Sequence, residues 1–191
     1  MTNYLFILAW TLGVGSWFLA IFEMISIHSF WRIIFKFGIP IKRMTIEIDT
    51  EKFHPEIGKT IRREEGKFRF TSEGEVYFLS QVFLFRFFRF TTPFPFKVVA
   101  SINRNNKVDI IARLPIGTTL FILFWILGWT AGSIGVGIQS GDFSSVGFGL
   151  IGWLFAGLMI GISYPIEKNR FDTMISELKQ IITVHNNGYN S

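Results

Sequence analysis

"QVFLFRFFRFTTPFPFK", residues 81–97, holds seven of the chain's 23 phenylalanines, broken by two arginines and two prolines. It is too short and too charged to be a transmembrane helix. At the centre of a bilayer Arg86 and Arg89 would each cost about 2.5–3.5 kcal/mol on an insertion scale. Its neighbours carry the alternation of strands: "MTIEIDT" (44–50), "KFRFTS" (67–72) and "KVDIIAR" (107–113), with "SEGE" (72–75) and "NRNNK" (103–107) as turn clusters between them. Residues 40–113 therefore predict a small antiparallel β domain of about five to seven strands, with Pro93 and Pro95 at an edge or corner. The phenylalanines then have two readings. They fill the core of a small domain, where each ring supplies much volume. Alternatively, part of them, with Arg86 and Arg89, forms a rim that touches an anionic leaflet.

Outward from this domain the chain becomes apolar. It has 191 residues, is 49% apolar, and carries a net charge of +5. Its positive mean hydropathy is expected when several segments lie in lipid. Two tracts carry no charge at all, Leu114–Gly141 and Phe143–Ile166, and Met1–Ile27 carries only Glu23. Crossing the ~30 Å hydrocarbon layer takes about 20 apolar residues, so each tract is long enough. The predicted fold class is an integral membrane α-helical bundle of three transmembrane helices with an inserted antiparallel β domain and a C-terminal amphipathic helix. The spans are expected within 1–30, 114–138 and 143–165. The first is read as a retained span, because it lacks a basic leader and a small-x-small cleavage site.

Basic residues set the expected orientation. Sixteen of the 19 lie between Arg32 and Arg113, against nine acids there, whereas "MTNY" has none and "QSGDF" holds only Asp142. The N-terminus and the 139–142 turn are thus expected outside a bacterial inner membrane, with the β domain and the C-terminus in the cytoplasm.

Two junction elements follow. "SFWRIIFKFGIP" (29–40) places Arg32 and Lys36 on one helical side, with Phe30, Ile33, Ile34 and Phe37 opposite and Trp31 suited to the interface. An interfacial helix over 31–39 is expected, so Trp31, Arg32, Lys36, Arg86 and Arg89 are the predicted lipid-interface residues. After Pro165, Phe171, Met174, Ile175, Leu178, Ile181 and Ile182 recur at helical spacing. This predicts a cytoplasmic amphipathic helix over 166–185, docked on the β domain.

Within the spans, "GWTAG" (128–132) and "GLMIG" (157–161) are G-x-x-x-G pairs. Small residues let helices approach closely in lipid, so Gly128, Gly132, Gly157 and Gly161 are the predicted helix-packing positions. Glu23 is the one ionisable side chain inside a predicted span. Such acids mark ion or proton paths, or they pair with a nearby base; pairing is expected here.

Chemical motifs are absent. Without cysteine there is no thiolate chemistry. His28, His54 and His185 do not lie at metal-ligand spacing, and no nucleophile elbow or P-loop occurs. No catalytic residue, cofactor, metal or nucleic-acid partner is predicted. The expected function is that of a non-enzymatic inner-membrane protein. Its cytoplasmic β domain would bind a protein partner or an anionic lipid surface and organise a membrane complex, as a homo-oligomer or with other membrane proteins. The alternative is a channel or transport subunit, or a membrane-perturbing effector, formed by oligomerised three-helix units.

Overall fold

The structure is a computed structural model that describes residues 2–48, 56–72, 74–84, 88–90, 92–103, 106–140 and 144–187. Its helices are α1 (Thr2–His28), α2 (Arg32–Lys36), α3 (Ile116–Ser140) and α4 (Ser144–Asn187). Its strands are β1 (Ile39–Glu47), β2 (Thr60–Arg62), β3 (Gly66–Ser72), β4 (Glu75–Ser80), β5 (Val82–Leu84), β6 (Phe88–Phe90), β7 (Lys97–Asn103) and β8 (Lys107–Leu114). α1, α3 and α4 are each long and apolar enough to cross a membrane. The strands form a six-stranded antiparallel sheet in the order β1-β8-β7-β4-β3-β2, and a separate two-stranded β5-β6 ribbon.

Period-two alternation sorts the sheet residues onto two faces. One face presents Phe68, Phe70, Phe78, Val98 and Ile110 to the C-terminal half of α4, whose Phe171, Met174, Leu178 and Ile182 are buried against them. The other presents Tyr77, Leu79 and Val99 to the end of α1 and to α2, where Ile27, Phe30 and Phe35 are buried. The Phe35 ring stacks on Phe30 at 5.5 Å and on Tyr77 at 5.0 Å. This packing holds Phe30 at φ 55, a left-handed conformation that a bulky side chain seldom adopts.

The stretch 81–97 divides at its middle. β5 and β6 leave the main sheet as their own ribbon, inserted in the chain between β4 and β7. Arg89 of β6 pairs in register with Phe83 of β5, and Arg86 lies outside the described residues. The far end returns inward. Phe94 is buried beside Ile122 of α3 and Ala156 of α4, and Phe96 enters the main core against Tyr164 and Phe171. The Thr-Pro-Phe-Pro-Phe segment is therefore a wedge between sheet and helices.

Two element boundaries differ from expectation. The span predicted over 143–165 and the amphipathic helix predicted over 166–185 are one continuous helix of 44 residues with Pro165 inside it. At ~1.5 Å per residue this is about 66 Å, twice the hydrocarbon thickness. Proline costs a helix one N–H, a loss that neighbouring packing can absorb. Packing on both sides, through Ala156 and Ser163 before Pro165 and Glu167 and Phe171 after it, holds the two halves together.

The interfacial helix stops at Lys36 rather than reaching 39, because Phe37 turns extended and β1 starts at Ile39. Gly38 makes that entry possible. It sits at φ 146, and a β-carbon there would lie 2.6 Å from the Leu114 carbonyl oxygen. The apolar side also differs from the one predicted. Phe35 carries the packing, while Trp31, Ile33 and Phe37 are exposed.

α3 packs against both α1 and α4. The close approaches lie away from the two G-x-x-x-G pairs. A β-carbon at Gly117 would lie 2.7 Å from the Ala20 backbone, and one at Gly149 would lie 2.8 Å from Ser133 Oγ. Gly152 sits against the Trp129 ring, and the Trp125 indole N–H donates to its carbonyl at 3.3 Å. At Gly128, Gly132, Gly157 and Gly161 a β-carbon would meet nothing within 4 Å among the described residues, so the close approaches seen within the chain are not at these four. Above the Gly117–Ala20 contact, α1 and α3 part around an apolar groove of about 700 Å³ lined by Trp10, Trp17, Trp125 and Trp129, with Gly128 and Gly132 in its wall.

Candidate functional site: the junction between sheet and helices

Polar groups concentrate where the sheet meets the long helices. Glu23, five residues before the end of α1, is 5% exposed, and its partner Lys97 at the start of β7 is fully buried. The Lys97 ammonium donates to Glu23 Oε1, to the Ile34 carbonyl at 2.8 Å and to the Phe37 carbonyl at 2.5 Å. An ammonium has three N–H bonds, so the three acceptors exhaust it. The Glu23 carboxylate also receives the first N–H groups of α3, from Ile116 at 3.2 Å and Gly117 at 2.6 Å. One carboxylate thus ties α1, α3, the α2–β1 connection and β7 together. It also sits at the positive end of a helix that carries no acid of its own in its first turn. Burial pushes the Lys97 ammonium below the ordinary lysine range, opposed by the hydrogen bond and charge of Glu23.

A second carboxylate clamps the end of β4 and the segment leading into β7. Glu167, two residues past Pro165, is fully buried. It accepts from Ser80 Oγ at the end of β4, from Thr92 Oγ1 at 2.5 Å and from the Phe96 backbone N–H at 3.0 Å. One turn later Arg170 donates to the Gln81 carbonyl and pairs with Glu65 at 3.1 Å. Both ends of the segment carrying the β5-β6 ribbon are therefore fastened to α4.

A third group lies on the α1–α2 face of the sheet. Glu75 of β4 receives Lys36 at 2.6 Å, Arg32 at 3.3 Å and the Tyr77 hydroxyl at 3.0 Å. Burial alone would raise the Glu75 pKa; the hydrogen bonds from Lys36 and Tyr77, with the charges of Lys36 and Arg32, outweigh it and hold the carboxyl below the usual range. Arg32 and Lys36, predicted as lipid-interface residues, thus have a carboxylate partner inside the protein. Trp31 is half-exposed, edge-to-face with Phe22 at 5.8 Å.

Of the predicted residues, the fold brings Trp31, Arg32 and Lys36 together at one corner and sets Glu23 behind them. Arg89 lies on the ribbon, and the four glycines stand apart on the helices. Lys97, Glu167, Arg170 and Arg69 were not singled out from the sequence. The available signal was local: Lys97 is a lone charge in the apolar run "FPFKVVA" (94–100), and Glu167 is the first charge after the third predicted span. Among the described residues no group of His, Asp and Glu has the geometry of a metal site. Glu23 and Glu167 have every carboxylate oxygen engaged by the fold. What such saturated groups do is fix geometry. No family model, curated protein or solved structure matches this chain.

Proposed function

We propose that this chain is a non-enzymatic inner-membrane protein whose cytoplasmic β domain is held at the bilayer as a docking platform and organises a membrane complex. The observation that carries this reading is the double clamp at the junction. Glu23 with Lys97, and Glu167 with Ser80 and Thr92, fasten the sheet to α1, α3 and α4. A partner bound to the sheet would then sit at a set height and angle above the leaflet. Exposed Trp31, Ile33 and Phe37 continue the apolar surface of the spans past the end of α1 and support a lipid-contacting rim. Arg86 and Arg89, predicted from the sequence as lipid-interface residues, are assigned to the same proposed rim.

Self-association is the second part of the reading. α4 turns Gly149, Gly152, Ala156 and Ser163 toward the rest of the chain, leaving Gly157 and Gly161 open beside exposed Leu150, Leu154 and Leu158. Those glycines offer a close-approach surface to a second copy or another membrane protein. The transport alternative draws on the glycine-rich spans and on Glu23; the Glu23 carboxylate is engaged by Lys97 and the start of α3.

Native mass analysis of the full chain released from nanodiscs tests the proposal. The expected result is a discrete complex of several copies or of this chain with a stoichiometric partner, and no ion flux in proteoliposomes above that of empty vesicles. A lone chain, or a conductance abolished by Glu23→Gln, overturns it. Orientation is tested separately by single-cysteine labelling, which the cysteine-free sequence makes clean. Lys107→Cys should be protected from impermeant reagent in intact cells and Ser140→Cys should react; the reverse pattern inverts the topology.

A further inference from the structure

A cleft of about 600 Å³ opens between the end of α1, the turn that follows it and β3. Its wall is of mixed character. Exposed Phe22 and Ile25 of α1 and half-exposed Trp31 line it together with Arg32 and Arg69. We propose that this cleft binds the headgroup of one anionic phospholipid, with Arg32 and Arg69 on the phosphate and the acyl chains along Phe22 and Ile25.

Three observations carry the assignment. The first is charge. Among the described residues, Arg32 and Arg69 line the cleft, and the carboxylate paired with Arg32 is Glu75, which it shares with Lys36 and the Tyr77 hydroxyl. Among the described residues this leaves an excess of positive charge at the cleft, and its complement is an anion.

The second is the way Arg69 is held. Phe68 and Phe70 on either side of it face the α4 core, so alternation sends Arg69 to the opposite face, toward the cleft. There it donates to the Ser29 carbonyl at 3.3 Å, and its guanidinium lies 6.0 Å from the Phe30 ring centroid. These contacts use part of a five-donor fork and aim the remainder.

The third is height. Arg69 bonds the residue just past the last turn of α1, so both arginines lie where a spanning α1 leaves the hydrocarbon and phosphates begin. A free phosphate would satisfy the charge but leave the apolar lining of the cleft wet. A lipid satisfies both.

The inference rests on the reading that α1 crosses the membrane with the sheet on the cytoplasmic side, and cysteine labelling decides that without reference to lipid. The test is native mass spectrometry of the full chain in detergent, titrated with phosphatidylglycerol, phosphatidylcholine or inorganic phosphate. One phosphatidylglycerol should be retained, in preference to phosphatidylcholine, and excess inorganic phosphate should not displace it.

Removing a basic residue near a leaflet weakens anionic-lipid attraction by a factor of about five, so Arg32→Gln with Arg69→Gln should lower retention about thirtyfold. Arg32→Gln alone leaves Glu75 its other two partners and should fold normally with about fivefold weaker retention. Arg43→Gln with Lys107→Gln removes the same charge from exposed sheet positions and should leave retention intact. Equal loss in that control means diffuse charge attraction and overturns the site. Unchanged retention in both cleft variants, or displacement by inorganic phosphate, does so too.

Discussion

Lys97 donates to Glu23 across 74 residues of sequence, and both side chains are buried. Two charges taken out of water are costly, and their attraction repays that cost only when the remaining donors and acceptors are also satisfied. Here they are, by the Ile34 and Phe37 carbonyls and the Ile116 and Gly117 N–H groups. Lys97→Met strands a carboxylate against the start of α3 and should lower stability by about 3–5 kcal/mol. Glu23→Gln with Lys97→Met leaves no buried charge and should recover most of the loss. Thermal unfolding of the purified chain in detergent reads both, and a double variant no better than the single one would refute the pairing.

The stripe on the lower half of α4 makes a second expectation. Leu178 and Ile182 are fully buried under the sheet. Leu178→Asp or Ile182→Asp places an unpaired charge there, at a cost of a few kcal/mol. The sheet domain should become protease-sensitive while the protein still inserts into membranes. Unchanged protease resistance in both variants would mean that this helix is not docked.

A pH dependence follows from Glu75. Its folded pKa is lowered from 4.5, so the stability it contributes is fully present above that value and is lost as the pH falls through the lowered folded value. The wild-type protein should therefore lose its advantage over Glu75→Gln as the pH is taken from 7 to below 4. Other carboxylates titrate in both proteins and cancel in the comparison. A difference in melting temperature that stays constant over this window would show that the Lys36, Arg32 and Tyr77 contacts do not stabilise the charged form.

The glycines separate contacts within one chain from contacts between copies. Gly117→Ala meets backbone of α1 at 2.7 Å and should destabilise the monomer, because backbone cannot step aside as a flexible side chain can. At Gly157 and Gly161 an added β-carbon meets nothing within 4 Å among the described residues, so Gly157→Ala with Gly161→Ala should leave the unfolding free energy within about 1 kcal/mol of wild type. If α4 presents these positions to a second copy, the same variant should run as a smaller assembly in native mass analysis. An unchanged assembly would move the contact to another face.

The sequence alone was enough to place three apolar helices, an antiparallel β domain between the first two and a helix docked on it. Each rests on a periodicity or a length that survives without tertiary context. Charge-free tracts longer than about 20 residues announce membrane-length helices. Alternation in "KFRFTS" and "KVDIIAR" announces strands whose two faces differ, and β3 and β8 lie there. Other features were decided only by packing between distant segments. Proline at 165 reads locally as a helix start, yet contacts on both of its sides keep α4 continuous. The G-x-x-x-G spacing marks small residues but not the direction they face, and the close approaches fell at Gly117, Gly149 and Gly152. The phenylalanine-rich stretch was legible as strand but not as a ribbon followed by a wedge, since that division depends on where α3 and α4 stand beside Phe94. The partners of Glu23 and Glu167 come from segments more than 70 residues away. A buried charge needs its counter-charge and hydrogen bonds within a few ångströms, and only the closed chain brings such groups that near.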